Sequence, residues 1–133
     1  MGDNKISLKI LVVEDNLINQ KITKSFLVRM NHTVTIVNNG KEAVDIFEKE
    51  YFDCILMDIQ MPVMDGIQAT KSIREKEKIK KTNIPIVAVS ANLMVEEETK
   101  IIDAGMNDFI PKPINEAQLK NVLSNVINHK YSK

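Results

Sequence analysis

The chain has 133 residues, and its 18 basic side chains balance its 18 acidic ones. This length fits one domain with a substantial core, and zero net charge excludes a global field for nucleic acid or a membrane surface. The lone Cys54 cannot form an internal disulfide, and no apolar run is long enough to cross a bilayer. The composition therefore predicts a soluble, cytoplasmic domain that contacts neither nucleic acid nor membrane directly.

The first half of the chain alternates short apolar runs with stretches of helical periodicity. Residues 9–13 and 33–37 are predicted strands, because each run is too short for a helix. Between them, apolar residues recur every fourth position, and these are the predicted buried stripe of the first helix: Ile18, Ile22, Phe26 and Met30. A second helix is marked by its own apolar positions: Ala43, Val44 and Phe47.

The second half repeats the alternation three times. Predicted strands cover residues 54–57, 84–90 and 109–111. The intervening helices begin after the N-cap Asp65, at residue 96 and after the N-cap Asn115. A mixed-charge run at residues 74–81 is predicted to be a solvated helix end.

Five strands that alternate with five helices predict an α/β fold with one parallel sheet and helices on both faces. Right-handed crossovers restrict the topology, and we predict a flavodoxin-like (βα)5 doubly wound sheet with strand order 2-1-3-4-5. The domain is predicted to cover residues 9–129, with an N-terminal extension at 1–8 and a C-terminal tail at 130–133.

Polar side chains close four of the predicted strands. Glu14 and Asp15 follow the first strand, and Asp58 follows the third. Ser90 ends the fourth, and Lys112 follows the fifth. In a parallel sheet of this order, these strand ends converge on one crevice where ligands bind. Such a set can hold a hard divalent cation and a phosphoryl group, and an ionised Asp can attack phosphorus.

The carboxylates at these strand ends predict Mg2+ as the cofactor. Mg2+ prefers oxygen ligands and uses few carboxylates, so it retains open positions for phosphate oxygens. The backbone carbonyl of Gln60 could supply a further oxygen. Zinc is disfavoured because the set contains no His or Cys. The Lys112 ammonium and the Ser90 hydroxyl would contact the remaining phosphoryl oxygens, and a cis Lys112-Pro113 bond would aim the lysine inward.

Four segments together resemble the receiver domain of two-component response regulators: Val13–Asn16, Met57–Gly66, Val89–Ala91 and Phe109–Pro113. The similarity runs from about Lys9 to His129. Asn19-Gln20, following the first segment, makes the chain most similar to receivers of hybrid sensor kinases.

The resemblance implies a role for each residue at the strand ends. Asp58 would accept a phosphoryl group from a phosphohistidine of a sensor histidine kinase or a histidine phosphotransfer protein. The implied Mg2+ ligands are these: Glu14, Asp15, Asp58 and the Gln60 carbonyl. Ser90 and Phe109 would be the conformational switch, and Lys112 the phosphate contact. Phe109 stands where Tyr is common, so a hydroxyl that Tyr would supply is absent.

Two alternative functions compete with this interpretation. An aspartate-nucleophile phosphatase of the haloacid dehalogenase type would need a second Asp where Gln60 stands. A flavodoxin-like ligand-binding module would need a phosphate-cradling loop after the first strand, but Glu14-Asp15 would repel phosphate. The chain carries no kinase segment, so we expect a domain whose chemistry is its own Mg2+-dependent phosphorylation and dephosphorylation. It would be a stand-alone regulator or part of a membrane-anchored hybrid kinase.

Four single residues complete the predictions. Leu17 lies off the predicted stripe beside Asp15, where it either packs locally or contacts a partner helix. Cys54 is predicted to be a small buried hydrophobe, and His32 a turn residue. Asn92, together with Gln60, is predicted to control the lifetime of the phosphoryl group.

Overall fold

The computed structural model describes residues 6–61, 63–91 and 95–128. Within these residues the strands are β1 (Lys9–Val13), β2 (Thr33–Val37), β3 (Cys54–Asp58), β4 (Ile86–Ser90) and β5 (Asp108–Pro111). They alternate with the helices α1 (Leu17–Arg29), α2 (Gly40–Lys49), α3 (Gly66–Lys80), α4 (Val95–Ala104) and α5 (Glu116–Ile127). The predicted alternation of five strands with five helices is therefore confirmed. None of the described helices is both long and apolar enough to cross a bilayer.

The sheet is parallel throughout and has the order β2-β1-β3-β4-β5, as predicted. Neighbouring strands end at nearly the same level: Val13 pairs with Met57, and Asp58 pairs with Val89. Ser90 in turn pairs with Pro111. This register brings the carboxyl ends of β1, β3, β4 and β5 to one edge of the sheet.

Two apolar layers cover the two faces of the sheet. Because successive strand residues point to opposite faces, Leu11 and Ile55 pack beneath α2, α3 and α4. Ile10 and Leu56 pack beneath α1 and α5. Both β3 and β4 are buried along their whole length, as expected for central strands of a doubly wound sheet. Cys54 is fully buried, so its predicted role as a small hydrophobe is confirmed.

The predicted buried stripe of α1 is wrong in its first half. Ile18 is 68% exposed and Ile22 is 42% exposed, whereas Phe26 and Met30 are partly buried and pack against the core. The residues that α1 buries are instead Gln20, Thr23 and Leu27. The first turns of α1 lie over the polar carboxyl edge of the sheet, where backbone groups need hydrogen-bond partners more than apolar cover.

The mixed-charge run of α3 is also only partly solvated. Glu75 and Lys78 are exposed as predicted, but Arg74 and Glu77 form an ion pair of 2.5 Å with side chains 18% and 4% exposed. Helical periodicity explains the difference, because positions three residues apart share one face of the helix.

His32, predicted to be a turn residue, lies between α1 and β2 and is buried. Its Nδ1 accepts a hydrogen bond of 3.0 Å from the backbone N–H of Leu8. Burial lowers the pKa of His32 below its ordinary value, although the charge of Asp53 opposes this. The neutral imidazole therefore joins the end of α1 to the start of β1.

Candidate functional site

Three carboxylates meet at the carboxyl edge of the sheet. The ligand oxygens of Glu14, Asp15 and Asp58 all lie within 4.8 Å of one another. Glu14 and Asp58 are buried, whereas Asp15 is exposed. Together with Lys112, these residues are called the acidic site below. It is closed by the sheet on one side and open to solvent at Asp15.

Asp58 is fixed by its position and by two hydrogen bonds. It is the last residue of β3 and only 2% exposed. Its Oδ1 accepts from the backbone N–H of Gln60 at 3.2 Å, and its Oδ2 accepts from Lys112 Nζ at 3.0 Å. Both carboxylate oxygens are thus oriented before any ligand arrives.

Lys112 bridges two of the carboxylates. Its Nζ lies 3.0 Å from Asp58 Oδ2 and 3.5 Å from Glu14 Oε1. Its backbone N–H donates to the carbonyl of Ser90 at 2.9 Å, and the bond to Pro113 is cis, as the sequence suggested. Burial alone would lower the pKa of Lys112, but the hydrogen bond and charge of Asp58, helped by Glu14, raise it. The lysine therefore stays charged.

Glu14 is the carboxyl group of the acidic site whose ionised form is disfavoured by its surroundings. Burial raises the pKa of its carboxyl group, the hydrogen bond from the Asn16 N–H lowers it, and the charge of Asp58 raises it again. The pKa of Glu14 is therefore above its ordinary value. Among the described residues, the Lys112 ammonium contacts two of the three carboxylates in the acidic site, so further positive charge would stabilise the site.

The residues of the acidic site fit a hard divalent cation. Its candidate ligands are carboxylate oxygens, and the described cluster includes neither His nor Cys, so Mg2+ suits it better than zinc. Gln60 is exposed just beyond Asp58, where the sequence placed an additional carbonyl ligand.

Two glycines shape the loop after Asp58, and sequence analysis did not identify their role. The Gly66 N–H donates to the Ile59 carbonyl at 2.9 Å, and a Cβ on Gly66 would collide with the carbonyl oxygen of Asp58. The Gly40 N–H donates to the Met64 carbonyl at 3.1 Å, and a Cβ there would collide with that oxygen. The loop is held at both contacts because the backbones approach so closely. In the sequence, the Asp65-Gly66 pair was the available sign of a tight turn at this loop.

Ser90 and Phe109 lie on the two strands beyond Asp58. Ser90 ends β4 and is 2% exposed, one residue beyond the register partner of Asp58. Phe109 is partly buried and packs against the apolar layer that also borders Met61 and Met64. Asn92, whose predicted role concerned dephosphorylation, lies outside the described residues.

Comparison with known proteins gives a consistent match. The family model described as the response regulator receiver domain matches residues 10–124. A hybrid signal transduction histidine kinase of Dictyostelium discoideum is 40% identical over 131 residues, which cover 95% of this chain. That match covers only 8% of the relative's own length.

Two solved structures are similar over almost the whole chain. One is the receiver domain of a sensor histidine kinase from Pseudomonas aeruginosa with a magnesium ion coordinated in its active-site cleft. It has a TM-score of 0.84 and 37% identity, and the match covers 92% of this chain and 99% of that one. The other is a response regulator receiver from Saccharomyces cerevisiae, crystallised with a histidine phosphotransfer protein. It has a TM-score of 0.87 and 34% identity, covering 92% of this chain and 90% of the other.

Proposed function

Because the chain belongs to the response regulator receiver domain family, we propose that it takes a phosphoryl group from a phosphohistidine onto Asp58 and changes conformation to signal. One observation carries the proposal: the buried Asp58 carboxylate lies between the Lys112 ammonium and two further carboxylates. This arrangement supplies a nucleophile, a phosphate contact and oxygen ligands for a cation.

In the proposed reaction, a carboxylate oxygen of Asp58 attacks phosphorus as the P–N bond to the donor imidazole breaks. The electron pair of the P–N bond goes to the departing ring nitrogen, and the imidazole leaves in its neutral form because its other ring nitrogen already carries a proton taken from solvent. Asp58 becomes an acyl phosphate. The Lys112 ammonium, which donates a hydrogen bond to Asp58 Oδ2 before the reaction, then donates to a phosphoryl oxygen and stabilises its negative charge. Mg2+, held by Glu14, Asp15, Asp58 and the Gln60 carbonyl, would supply charge neutralisation on the phosphoryl oxygens. Hydrolysis of the acyl phosphate returns the carboxylate.

Intact-mass measurement after incubation with a small phosphodonor and Mg2+ tests the acceptor. Wild type should gain one phosphoryl group, and Asp58→Asn should gain none because the amide is not a nucleophile. Asp65→Asn is the matched control, since Asp65 caps α3 in the same loop and Asn caps equally well. Labelling of Asp58→Asn at the wild-type rate would rule out this acceptor.

For the metal we propose that Asp15 matters more than Glu14. Asp15 is exposed at the open side of the acidic site, whereas Glu14 already accepts from the Asn16 N–H and lies 3.5 Å from Lys112. Mg2+ titration followed by NMR should therefore show a larger loss of affinity in Asp15→Ala than in Glu14→Ala. Unchanged affinity in both variants would exclude the site.

For the response we propose that phosphorylation acts through Ser90 and Phe109. A phosphoryl oxygen on Asp58 offers the Ser90 hydroxyl a charge-assisted hydrogen bond, and the resulting shift opens space for Phe109. Phosphorylated Ser90→Ala should retain its label but show few chemical-shift changes around Phe109. A full wild-type response in that variant would disconnect Ser90 from the switch.

The donor protein should dock on the first turns of α1. Leu17 and Ile18 are 67% and 68% exposed, and Ile22 follows one turn later. A narrow groove of about 70 Å3 lies between Ile22, Pro113 and the acidic site. An exposed apolar surface that adjoins a reactive carboxylate suits a helix carrying the donor histidine. The two hydrophobic residues that were predicted to be buried thus extend the surface predicted for Leu17.

Leu17→Ala and Ile18→Ala test this docking surface. Each should slow phosphoryl transfer from a phosphohistidine protein about tenfold, the scale of one lost anchor residue, without changing labelling by a small phosphodonor. Val28→Ala is the matched control, because Val28 is exposed at the far end of the same helix. Equal losses with both donors would indicate local packing instead.

We place the domain, over residues 9–129, in the cytoplasm, either as a stand-alone regulator or within a membrane-anchored hybrid kinase. The fully buried thiol of Cys54, whose pKa burial raises to about 12, is consistent with a reducing compartment. The relatives that the chain matches include hybrid kinases, and the donor would then be a histidine kinase or a histidine phosphotransfer protein. Gln60, exposed beside Asp58, would orient or block the attacking water during dephosphorylation.

A further inference from the structure

A buried amide on α1 reaches the backbone of the acidic site. Gln20 is 8% exposed, and its Nε2 donates two hydrogen bonds. One goes to the carbonyl oxygen of Glu14 at 2.5 Å, and the other to Asn38 Oδ1 at 2.8 Å. The side chain thus spans the ends of two neighbouring strands, β1 and β2.

The far end of this bridge is itself held. Asn38 follows β2, and its backbone N–H donates to Glu42 Oε1 at 2.7 Å in the first turn of α2. The near end is held by the Glu14 N–H, which donates to the Val37 carbonyl at 3.1 Å. Gln20 therefore connects the Glu14 carbonyl to Asn38, which is itself held by its hydrogen bond to Glu42.

The Glu14 carbonyl belongs to the peptide group that joins Glu14 to Asp15. A peptide group is planar, so a hydrogen bond to its oxygen limits rotation of the whole plane. That rotation would change the direction of the Asp15 side chain. Asp15 is exposed, so packing does little to orient it, and the backbone must set the position of its carboxylate.

We propose that Gln20 is a positioning residue for the metal ligands: its amide fixes the plane of the Glu14–Asp15 peptide and so aims Asp15 at the cation. The inference rests on the proposed function, because it concerns the Mg2+ ligands of the same site. Side chains that orient metal ligands typically change metal affinity by about 10- to 100-fold when they are removed.

Gln20→Met tests the inference, because Met keeps the length of the side chain but cannot donate. The first measurement is made without metal: the carbonyl carbon of Glu14 should shift in the NMR spectrum as its hydrogen bond is lost. The second is a Mg2+ titration, in which affinity should fall about tenfold. The rate of labelling by a small phosphodonor should fall at low Mg2+ and return towards wild type at saturating Mg2+.

Leu27→Ala controls for a merely structural role. Leu27 is fully buried on the same helix, about two turns beyond Gln20, and its truncation should destabilise the fold without changing Mg2+ affinity. Asn38→Ala provides a second variant should Gln20→Met fail to fold. Asn38 is exposed, and its loss should weaken Mg2+ binding by a smaller factor than the loss of Gln20.

Wild-type Mg2+ affinity in folded Gln20→Met, or in Asn38→Ala if only that variant folds, would overturn the positioning role while the proposed function stands. The same holds if Leu27→Ala loses as much affinity as the Gln20 variant. Absence of Mg2+ binding by wild type would instead overturn the proposed function, and this inference with it.

Discussion

Two clusters of charged side chains in this molecule differ in how completely their charges are matched. Arg74 on α3 directs its guanidinium into protein on all sides: Nε and Nη2 donate to the Gly105 carbonyl at 2.9 and 2.7 Å, and Nη2 also donates to Asn107 at 2.8 Å. Nη1 donates to Glu77 and to the Ile84 carbonyl. One cation meets one anion, and each guanidinium nitrogen of Arg74 has an acceptor. This set is called the Arg74 network.

The acidic site is the opposite case. Its three carboxylates lie close together, the Lys112 ammonium contacts two of them, and burial raises the pKa of Glu14. A buried charge without a full set of partners costs stability, so a fold retains such an excess where a ligand supplies the missing charge. The Arg74 network should therefore stabilise the fold, whereas the acidic site should destabilise it until a cation binds.

Removing one partner from the Arg74 network should have the largest effect. Glu77→Ala leaves the guanidinium short of its anion and removes the acceptor of the Ile84 N–H at 2.6 Å. We expect a loss of about 3 kcal/mol in the free energy of unfolding, measured with urea. Glu75→Ala is the control, because its pair with Lys78 is exposed on both sides and should contribute less than about 0.5 kcal/mol. Similar losses in the two variants would contradict the comparison.

How well the sequence predicted these clusters depends on the range of the interactions. The strands followed from short apolar runs. The handedness of the crossovers restricted their order to a few choices, and the order known for flavodoxin-like sheets was taken from among them. That order placed the residues at four strand ends together, which is why Asp58 and Lys112 could be identified although 54 positions separate them. The Arg74 network was missed, because its partners Gly105 and Asn107 lie 31 and 33 positions away on a loop.

The first helix shows a second limit of sequence patterns. Apolar residues at every fourth position indicate a helix, but they do not tell which face meets the sheet. In α1 the polar Gln20 and Thr23 lie inward and Ile18 outward. The burial of Gln20 is explained by its hydrogen bond to the Glu14 carbonyl, and that bond is visible only in the folded structure. Hydrophobic patterns therefore fail where a helix covers a functional edge.

Neutralising one carboxylate of the acidic site should stabilise the fold, whereas removing Glu77 from the Arg74 network should destabilise it. Because the folded-state pKa of Glu14 lies above its ordinary value, ionised Glu14 destabilises the fold above that pKa. Glu14→Gln should therefore gain about 1 kcal/mol at neutral pH in EDTA. Added Mg2+ should raise the thermal midpoint of wild type more than that of the variant, because binding to the native state stabilises it. A loss of stability in EDTA would mean that Lys112 already balances the site.

The stability of the fold at mildly acidic pH tests the contribution of His32, a buried side chain that is neutral rather than part of an ion pair. The folded-state pKa of His32 lies below its ordinary value of 6.5, so its contribution is present above that pH and is lost as pH falls through the folded-state pKa. Protonation would also remove the Nδ1 acceptor of the Leu8 N–H.

We expect His32→Gln to reduce the pH slope of the unfolding free energy below about pH 6.5, by at most about 1.4 kcal/mol per pH unit for one proton. His129→Gln is the control, since His129 is the other histidine of the chain. An equal slope in wild type and His32→Gln would show that His32 does not contribute.

The smallest predicted effect concerns a buried hydroxyl beside the Arg74 network. Thr70 lies on α3, one turn before Arg74, and its Oγ1 is buried without a hydrogen-bond partner among the described residues. Burying an unsatisfied hydroxyl destabilises a fold, so Thr70→Val should gain up to about 1 kcal/mol. Thr82→Val is the matched control with the opposite sign, because the Thr82 hydroxyl donates to Glu77 Oε2 at 3.1 Å. If both variants lose stability in urea, the Thr70 hydroxyl has a hydrogen-bond partner, such as a bound water. Every buried polar group near Arg74 would then be paired, in contrast to the acidic site, whose charges are not fully matched.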